Sequence, residues 1–291
     1  MKVLIACEES QAVLMKSSSI KCELFNDNFQ NYKRYAIPKA QLVIADIPYN
    51  IGNNFYGSNP MWYNGGDNKN GESKLAGKAA FNTDYSFNIA EYFHFCNRLL
   101  KKEPTKSNGR GKSSDAPCMI VFCAFEQMQT VIKYAEKYGF KHNIPIVFIK
   151  NYSPQVLKAN MRICGATEYA LILFRDKLPK FRNNGHMVFN WFEWKRDNAK
   201  EYPKIHPAQK PVNVLKRLIE IFTDEGDVVI DPCAGSGTTL RACAELNRSA
   251  YGFEVSKKFY VEATTKMLNF GTSNDFIKIE SENQTSLFEE E

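Results

Sequence analysis

Residues 227–254 constrain this chain most, because they combine a strand, a glycine turn, a helix and a second strand in immediate succession. Residues 228–230 form the short apolar run of a buried parallel strand. An Asp-Pro pair ends that run, and Gly235 and Gly237 allow a tight turn that a ligand can approach closely. Glu254 stands where the second strand ends. Ligands of doubly wound sheets bind beyond the carboxyl ends of strands, so the unit predicts a nucleoside-type cofactor site, although an ordinary βαβ unit can also contain a glycine turn.

Strand and helix patterns alternate through the rest of the chain. Short apolar runs predict strands at 22–26, 41–45, 118–123, 144–149 and 168–174, and helical spacing predicts helices over 87–100, 126–138, 211–222 and 257–269. This alternation predicts an α/β fold, with a doubly wound, mostly parallel sheet and helices on both faces.

A chain of 291 residues suits one large domain, which we place at residues 1–270. We expect loop insertions at about 50–85, 101–117 and 176–205, with 151–164 as a further loop, and a polar, acidic tail at 271–291. Aromatic and basic residues in the insertions suit nucleic-acid contacts, although solvated loops have a similar composition. We expect residues 176–205 to be irregular, and no function is assigned to residues 1–20.

Charge and cysteine usage narrow the class of protein. The net charge of +6 fits a polyanionic partner without requiring one. The eight cysteines are scattered and include no CxxC pair, so a metal site is not expected. No apolar run reaches the roughly 18 residues of a membrane span, and no secretory apolar segment is recognisable. We therefore expect a cytoplasmic protein with no membrane partner.

A second cluster, Asp46-Ile47-Pro48-Tyr49, directly follows the predicted strand at 41–45. It suits methylation of an exocyclic amine, whose lone pair is delocalised into the ring and poorly nucleophilic. Asp46 and the carbonyl of Ile47 or Pro48 can accept the two amine hydrogens and localise that lone pair. Tyr49 can stack on a base extruded from the duplex, a contact worth roughly 1–3 kcal/mol. Taken alone, the four residues are equally compatible with a strand-ending turn and a packed tyrosine.

The segments DPCAGSGTT, YGFE and DIPY together resemble the S-adenosylmethionine-dependent DNA amino-methyltransferases that modify adenine N6 or cytosine N4. DIPY resembles the catalytic (D/N/S)PPY motif of that family and departs from it at Ile47. DIPY comes first in the chain, and the glycine turn DPCAGSGTT, which we call the cofactor turn, comes last. This is the circularly permuted order of the β-group. The resemblance implies a Rossmann-like methyltransferase sheet, S-adenosyl-L-methionine as cofactor, double-stranded DNA as partner, and direct attack after base flipping.

An aspartate in the catalytic motif favours adenine N6 within this resemblance. Cytosine N4 in DNA, adenine in RNA, and a non-catalytic nucleic-acid-binding module with the same fold are the alternatives. A homodimer is a further expectation.

The resemblance also implies roles for individual residues, with Asp46, Pro48 and Tyr49 as the catalytic group. ELFNDN and HPAQKP resemble further cofactor segments of the family. The implied cofactor contacts are Asp27, Asp46, His206, Lys210, Pro211, Asp231, Cys233, Ala234, Gly235, Ser236, Gly237, Thr238, Thr239 and Glu254. From the polar and aromatic loops we predict nucleic-acid contacts by Asn50, Lys158, Asn160, Arg162, Trp191, Lys195 and Arg196.

Overall fold

The computed structural model describes residues 20–49, 87–105, 115–152, 155–158, 163–206 and 208–269. Its strands are β1 (Cys22–Phe25), β2 (Leu42–Asp46), β3 (Cys118–Phe122), β4 (His142–Lys150), β5 (Gln155–Lys158), β6 (Ile163–Gly165), β7 (Thr167–Phe174), β8 (Trp191–Trp194), β9 (Val228–Asp231) and β10 (Ser249–Phe253). Its α-helices are α1 (Ile89–Leu99), α2 (Met128–Lys137), α3 (Val212–Phe222), α4 (Thr238–Glu245) and α5 (Lys257–Glu262). Short 3-10 helices span Phe29–Arg34 and Phe125–Gln127, and a π-helical turn at Ala263–Met267 follows α5.

Eight strands form one sheet in the order β1-β10-β9-β2-β3-β7-β4-β8, and β5 pairs with β6 in a separate hairpin. Neighbouring strands of the large sheet run parallel, except where β7 lies antiparallel between β3 and β4. The predicted doubly wound, mostly parallel α/β sheet is therefore confirmed.

Two stretches predicted to lack regular structure contain strands. The predicted loop at 151–164 includes β5 and most of β6. The predicted irregular segment at 176–205 includes β8, which pairs in parallel with β4 at the edge of the large sheet. Both predictions were wrong because these strands are only three or four residues long. Strands this short have too few residues for a period-two pattern to stand out from the surrounding polar chain.

Apolar layers pack on both faces of the sheet. Within β2, Leu42 and Ile44 belong to one buried cluster, while Val43 and Ala45 belong to the other. A strand covered on both faces needs a continuous apolar run, which explains why β2 reads that way in the sequence. Helix α3 lies on the first side and buries seven residues. Each large aliphatic side chain buried in this way contributes roughly 1.5–3 kcal/mol.

A crevice is expected where β9 and β2 lie side by side, because the chain leaves these two strands in opposite directions. From β9 it continues to β10 on one side, and from β2 to β3 on the other. Strand order therefore reverses at this pair, which in open α/β sheets creates a binding crevice beyond the carboxyl ends. The cofactor turn follows β9 and DIPY follows β2, so the two turns end neighbouring strands.

Several predicted segments fall outside the described residues, namely the tail at 271–291, the whole insertion at 50–85, and residues 106–114 of the insertion at 101–117. Within the part of the chain that is described, no helix is both long and apolar enough to cross a membrane.

Candidate active site

The turn after β9 depends on glycine at two positions. Gly235 has a φ of 53° and Gly237 a φ of 75°, a left-handed region that L-residues with a side chain rarely adopt. Gly237 is also the N-cap of α4. A Cβ built on Gly235 meets no described atom within 4 Å, so this position faces open space. The turn therefore exposes backbone where a ligand can approach it.

Two carboxyl groups flank this turn. The buried Asp231 accepts a hydrogen bond from the backbone N–H of Cys233 at 3.0 Å, and burial raises its pKa to about 7. The Oε1 atom of Glu254 accepts from the backbone N–H of Ser256 at 2.6 Å, and burial likewise raises the pKa of Glu254 to about 7. The pKa values of both carboxyl groups therefore lie near neutral pH. Hydrogen-bond donors from a bound ligand would favour their charged forms.

The DIPY turn is anchored to the neighbouring strand β3 and to the 3-10 helix beyond it. The backbone N–H of Ile47 donates to the carbonyl of Phe122 at 3.2 Å. The Nε2 atom of Gln127 donates to the carbonyl of Pro48 at 3.0 Å. These bonds place the turn directly beyond the end of β2, and the carbonyl of Pro48 keeps a second lone pair for another donor.

Four charged side chains contact one another at this turn, and we call them the charge cluster: Asp46, Lys150, Glu168 and Lys210. Lys210 Nζ lies 2.5 Å from Asp46 Oδ2 and 3.9 Å from Glu168 Oε2. Lys150 Nζ lies 2.5 Å from Glu168 Oε1. The hydroxyl of Tyr49 donates to Glu168 Oε2 at 3.0 Å. Two cations thus balance two anions, as charges withdrawn from water require.

Burial and charge act in opposite directions on the pKa values of the cluster. Burial raises the pKa of Asp46, and the adjacent Lys210 ammonium opposes that rise. Burial lowers the pKa of Lys210, but Asp46 and Glu168 outweigh it, so the net shift is upward. Burial raises the pKa of Glu168, but Lys210 and Lys150 outweigh it, so the net shift is downward. The two lysines therefore favour the charged carboxylates.

One oxygen of Asp46 is placed for a ligand. Asp46 Oδ1 is buried, and among the described residues it accepts no hydrogen bond. Buried carboxylate oxygens nearly always accept a bond, so such an atom calls for an explanation. It lies on the turn that borders the crevice, where a hydrogen-bond donor from a substrate could satisfy it.

Aromatic rings surround the ammonium group of Lys210. Its Nζ lies 5.6 Å from the ring centroid of Tyr49, 5.4 Å from that of Phe122 and 5.8 Å from that of Trp194. Cation–π contacts of this kind stabilise a cation that has lost part of its hydration. They also hold Lys210 beside Asp46 rather than in solvent.

Strand β8 brings a different tryptophan to the site from the one that the sequence singled out. Trp194 is 4% exposed and contacts Lys210, whereas Trp191 is 48% exposed and stacks on Phe189. Three residues of strand separate the two tryptophans by roughly 10 Å. Lys195 and Arg196 follow the carboxyl end of β8, on the crevice edge of the sheet. Lys195 pairs with Glu193 at 3.0 Å, and Arg196 lies 3.8 Å from the ring centroid of Tyr152.

Asp27 follows β1 at the same edge, and its carboxylate is bound within its own loop. It accepts from the backbone N–H of Asn28 at 2.7 Å, from Asn31 at 2.6 Å and from the Tyr35 hydroxyl at 2.9 Å. The neighbouring Asn26 is the residue that reaches toward Glu254, donating to its carbonyl at 2.8 Å. A cofactor contact by Asp27 therefore depends on the remaining lone pairs of its carboxylate.

His206 packs edge-on against Phe259, with ring centroids 4.4 Å apart, and its Nδ1 accepts from the backbone N–H of Ala208 at 3.2 Å. Burial lowers the pKa of His206 to about 4, so the ring is neutral at physiological pH. Lys210 and Pro211 stand at the start of α3, where Pro211 is the N-cap.

The remaining predicted residues divide into two groups. Ala234, Ser236, Thr238 and Thr239 are buried in the turn and the first residues of α4, and Cys233 beside them is half-buried. Asn50, Asn160 and Arg162 lie outside the described residues, and Lys158 is described only by its place in β5.

Sequence reasoning did not identify Gln127, Lys150, Glu168 or Trp194 as part of the site. The one local signal was the presence of charged Glu168 as the second residue of strand β7, which is apolar from Ala170 onward. A charged residue in such a position needs a partner.

The sequence profile of the DNA methylase family N6_N4_Mtase matches residues 40–266. This range includes both turns and the charge cluster. The chain belongs to the N6/N4 DNA methylase family. The predicted family is thereby confirmed, and the non-catalytic alternative loses its support, because the turn glycines and Asp46 are both in place.

Curated relatives agree with this placement. The methylase is 26% identical over 254 residues to the DNA adenine methyltransferase YhdJ of Escherichia coli K12, covering 82% of this chain and 80% of that protein. It is 27% identical over 244 residues to the type II methyltransferase M.HpaI of Haemophilus parainfluenzae, covering 78% of this chain and 68% of that protein.

Solved structures show the same fold. A complex of M1.HpyAVI with SAM matches with a TM-score of 0.60 and 20% identity, covering 86% of this chain and 100% of that chain. The cytosine-N4-specific PvuII DNA methyltransferase matches with a TM-score of 0.60 and 14% identity, covering 88% of this chain and 89% of that chain.

Proposed function

We propose that this N6/N4 methylase transfers a methyl group to adenine N6 at specific sites in double-stranded DNA. The observation that carries the proposal is the buried Oδ1 of Asp46, an acceptor without a described partner at the switch point of the sheet. The amino group of adenine supplies the donor that this atom lacks. The aspartate in the DIPY position favours adenine over cytosine.

As a member of this family, the protein takes its methyl group from S-adenosyl-L-methionine. The turn after β9 fits that cofactor, because Gly235 faces open space beside two acids that can accept hydrogen bonds. When bound, the cofactor supplies an electrophilic methyl group. We assign the hydroxyl groups of its ribose to Glu254. The other residues proposed to hold it are Asp27, Asp46, His206, Lys210, Pro211, Asp231, Cys233, Ala234, Gly235, Ser236, Gly237, Thr238 and Thr239.

The residues after β2 activate the amine without forming a covalent bond to it. Asp46 Oδ1 and the carbonyl of Pro48 each accept one amine N–H, which localises the nitrogen lone pair and directs it away from the ring plane. Lys210 favours the charged form of Asp46, which is the form that accepts an amine N–H. The extruded base stacks on Tyr49, and the amine proton leaves to solvent.

DNA contacts are proposed along the edge of the sheet that carries these turns. Lys195 and Arg196 follow the carboxyl end of β8 at that edge and can approach phosphate groups. Asn50, Lys158, Asn160, Arg162 and the exposed Trp191 complete the proposed nucleic-acid surface.

Product analysis tests the proposed target. The purified protein is incubated with unmethylated duplex DNA and S-adenosylmethionine, and the DNA is digested to nucleosides for mass spectrometry. We expect N6-methyldeoxyadenosine, and N4-methyldeoxycytidine as the sole product would refute the adenine assignment. A parallel incubation with RNA decides whether DNA is the substrate.

We also propose that the enzyme acts in the cytoplasm as a homodimer. Six described cysteines are free, which suits a reducing compartment. Light scattering of the purified protein tests the dimer, and a mass equal to one 33.3 kDa chain would contradict it.

A further inference from the structure

Tyr49 and Glu168 meet from strands that are distant in the chain. Tyr49 follows β2, whereas Glu168 belongs to β7, on the far side of β3. The hydroxyl of Tyr49 donates to Glu168 Oε2 at 3.0 Å across 119 residues of sequence. This bond holds the far end of the ring that we assign to base stacking.

Glu168 is itself held in place by a lysine. Lys150 Nζ lies 2.5 Å from Glu168 Oε1, and the side chains are 11% and 19% exposed, respectively. Withdrawing a carboxylate and an ammonium from water costs free energy, and a well-packed apolar pair is often no less stable. Stability alone therefore does not account for this pair. A hydrogen bond to an ionised carboxylate is shorter, stronger and more directional than one to a neutral acceptor.

A stacking ring works best when its plane is set before the base arrives. A phenolic O–H lies in the plane of its ring, so a fixed acceptor restricts both the tilt and the rotation of that ring. Holding the ring in advance lowers the entropic cost of ordering it around the base.

We propose that Glu168, supported by Lys150, is a positioning residue that orients Tyr49 for the extruded base. This inference rests on the proposed function. Glu168 acts through the Tyr49 hydroxyl and makes no contact with the base. The stacking tyrosine, the amine-holding Asp46 and their two lysines thus form one connected unit.

A double-mutant cycle tests this role. Tyr49→Phe keeps the ring and removes the hydroxyl, and Glu168→Gln keeps the shape and removes the charge. We expect each variant to lower kcat on duplex DNA about ten- to a hundredfold, with cofactor affinity within about twofold of wild type. Tyr49→Phe removes the Tyr49–Glu168 hydrogen bond, and Glu168→Gln weakens the same bond by removing the charge of its acceptor, so the double variant should be no slower than the slower single variant.

A second tyrosine–carboxylate pair in the same chain supplies the control. The hydroxyl of Tyr202 donates to Glu245 Oε2 at 3.0 Å, and Glu245 lies at the opposite end of α4 from the cofactor turn. Tyr202→Phe should leave kcat within about twofold of wild type, which separates positioning of the ring from a general loss of stability. Modification-sensitive sequencing of treated DNA locates the methylated site, and 2-aminopurine fluorescence at that site then reports base extrusion. We expect both Tyr49→Phe and Glu168→Gln to reduce this signal.

The outcomes separate this inference from the function on which it rests. Multiplicative losses of kcat in the double variant, or a Tyr49→Phe variant as fast as wild type, would overturn the positioning role while leaving adenine methylation intact. Absence of methyl transfer by the wild-type protein would overturn both.

Discussion

Lys210 Nζ lies 2.5 Å from Asp46 Oδ2, joining the HPAQKP segment to the DIPY turn across 164 residues of sequence. Lys210 is buried, and it also lies close enough to Asp231 for that carboxylate to raise its pKa. One ammonium thus lies between the turn proposed to hold the amine and the turn proposed to hold the cofactor. The proposed cofactor contact of Lys210 is therefore secondary to its pairing with Asp46.

Replacing Asp46 with alanine should lower the methylation rate by at least about 10²–10³-fold, because the amine loses its charged acceptor. Affinity for S-adenosylhomocysteine, measured by calorimetric titration, should change only a few fold. Asp176→Ala removes an exposed carboxylate paired with Lys141 and should leave the rate unchanged. Near-normal turnover of the Asp46 variant would show that another group holds the amine.

Replacing Lys210 with methionine should shift the low-pH loss of activity to higher pH. Burial already raises the pKa of Asp46, and removing the Lys210 ammonium removes the charge that opposes this rise. Asp46 must be ionised to accept an amine hydrogen, so its protonation would then inactivate the enzyme at a higher pH. The measurement is kcat from pH 5 to 9.

Lys210→Arg is the matched control for this pH profile, because it keeps the positive charge. Lys210 also lowers the pKa values of Glu168, Asp231 and His206, so the shift in Lys210→Met reports the loss of its charge from all of these titrating neighbours, of which Asp46 is the one proposed to accept the amine. Identical profiles for Lys210→Met and the wild-type enzyme would refute the role of Lys210 as counter-ion.

Replacing Gly235 with valine should weaken cofactor binding more than tenfold, because the added side chain projects into the open space beside the turn. Gly226→Val is a matched control. Gly226 has a φ of 78° and an equally open Cβ position, but its turn lies before β9, at the other end of that strand.

Both glycine variants should lose about 1–3 kcal/mol of stability from backbone strain. Stabilisation of the folded state by S-adenosylhomocysteine, followed as a shift in Tm, should disappear only in the Gly235 variant. Equal ligand-induced shifts in the two variants would place the cofactor elsewhere.

Replacing Glu254 with glutamine should make the cofactor-free protein relatively more stable at high pH. The folded-state pKa of Glu254 is about 7, above its usual value of 4.5, so the folded protein binds more protons than the unfolded chain between these values. Its stabilising contribution is therefore complete below pH 4.5 and is lost as pH rises through 7. The difference in stability between variant and wild type should grow by about 1–3 kcal/mol from pH 4.5 to pH 8.

Comparing the two proteins at each pH cancels the contributions that they share. Asp231 has a raised pKa of about 7 and His206 a lowered pKa of about 4, and both remain in the variant. Chemical unfolding of wild type and variant over this pH range provides the measurement. If the stability difference did not change with pH, the pKa of Glu254 would not be raised in the folded protein, and the prediction would be wrong.

The sequence alone determined the two turns and the sheet that carries them. A buried parallel strand must be continuously apolar, and a turn with positive φ favours glycine, so residues 228–237 are recognisable from local sequence. Asp46–Tyr49 became informative only in combination with that turn. The order of these segments along the chain also indicated the permuted family, which the profile match confirms.

Only the tertiary structure decided which side chains complete the site. Lys150 and Glu168 lie in β4 and β7, which are not adjacent to β2, and Trp194 lies in a short edge strand that local pattern did not reveal. Lys210, directly before the N-cap of α3, pairs with Asp46 at the end of β2. Such contacts depend on strand order and helix packing, which local propensities do not encode. The sequence therefore specified the two turns, while the tertiary structure determined which charged and aromatic side chains contact Asp46 and Tyr49.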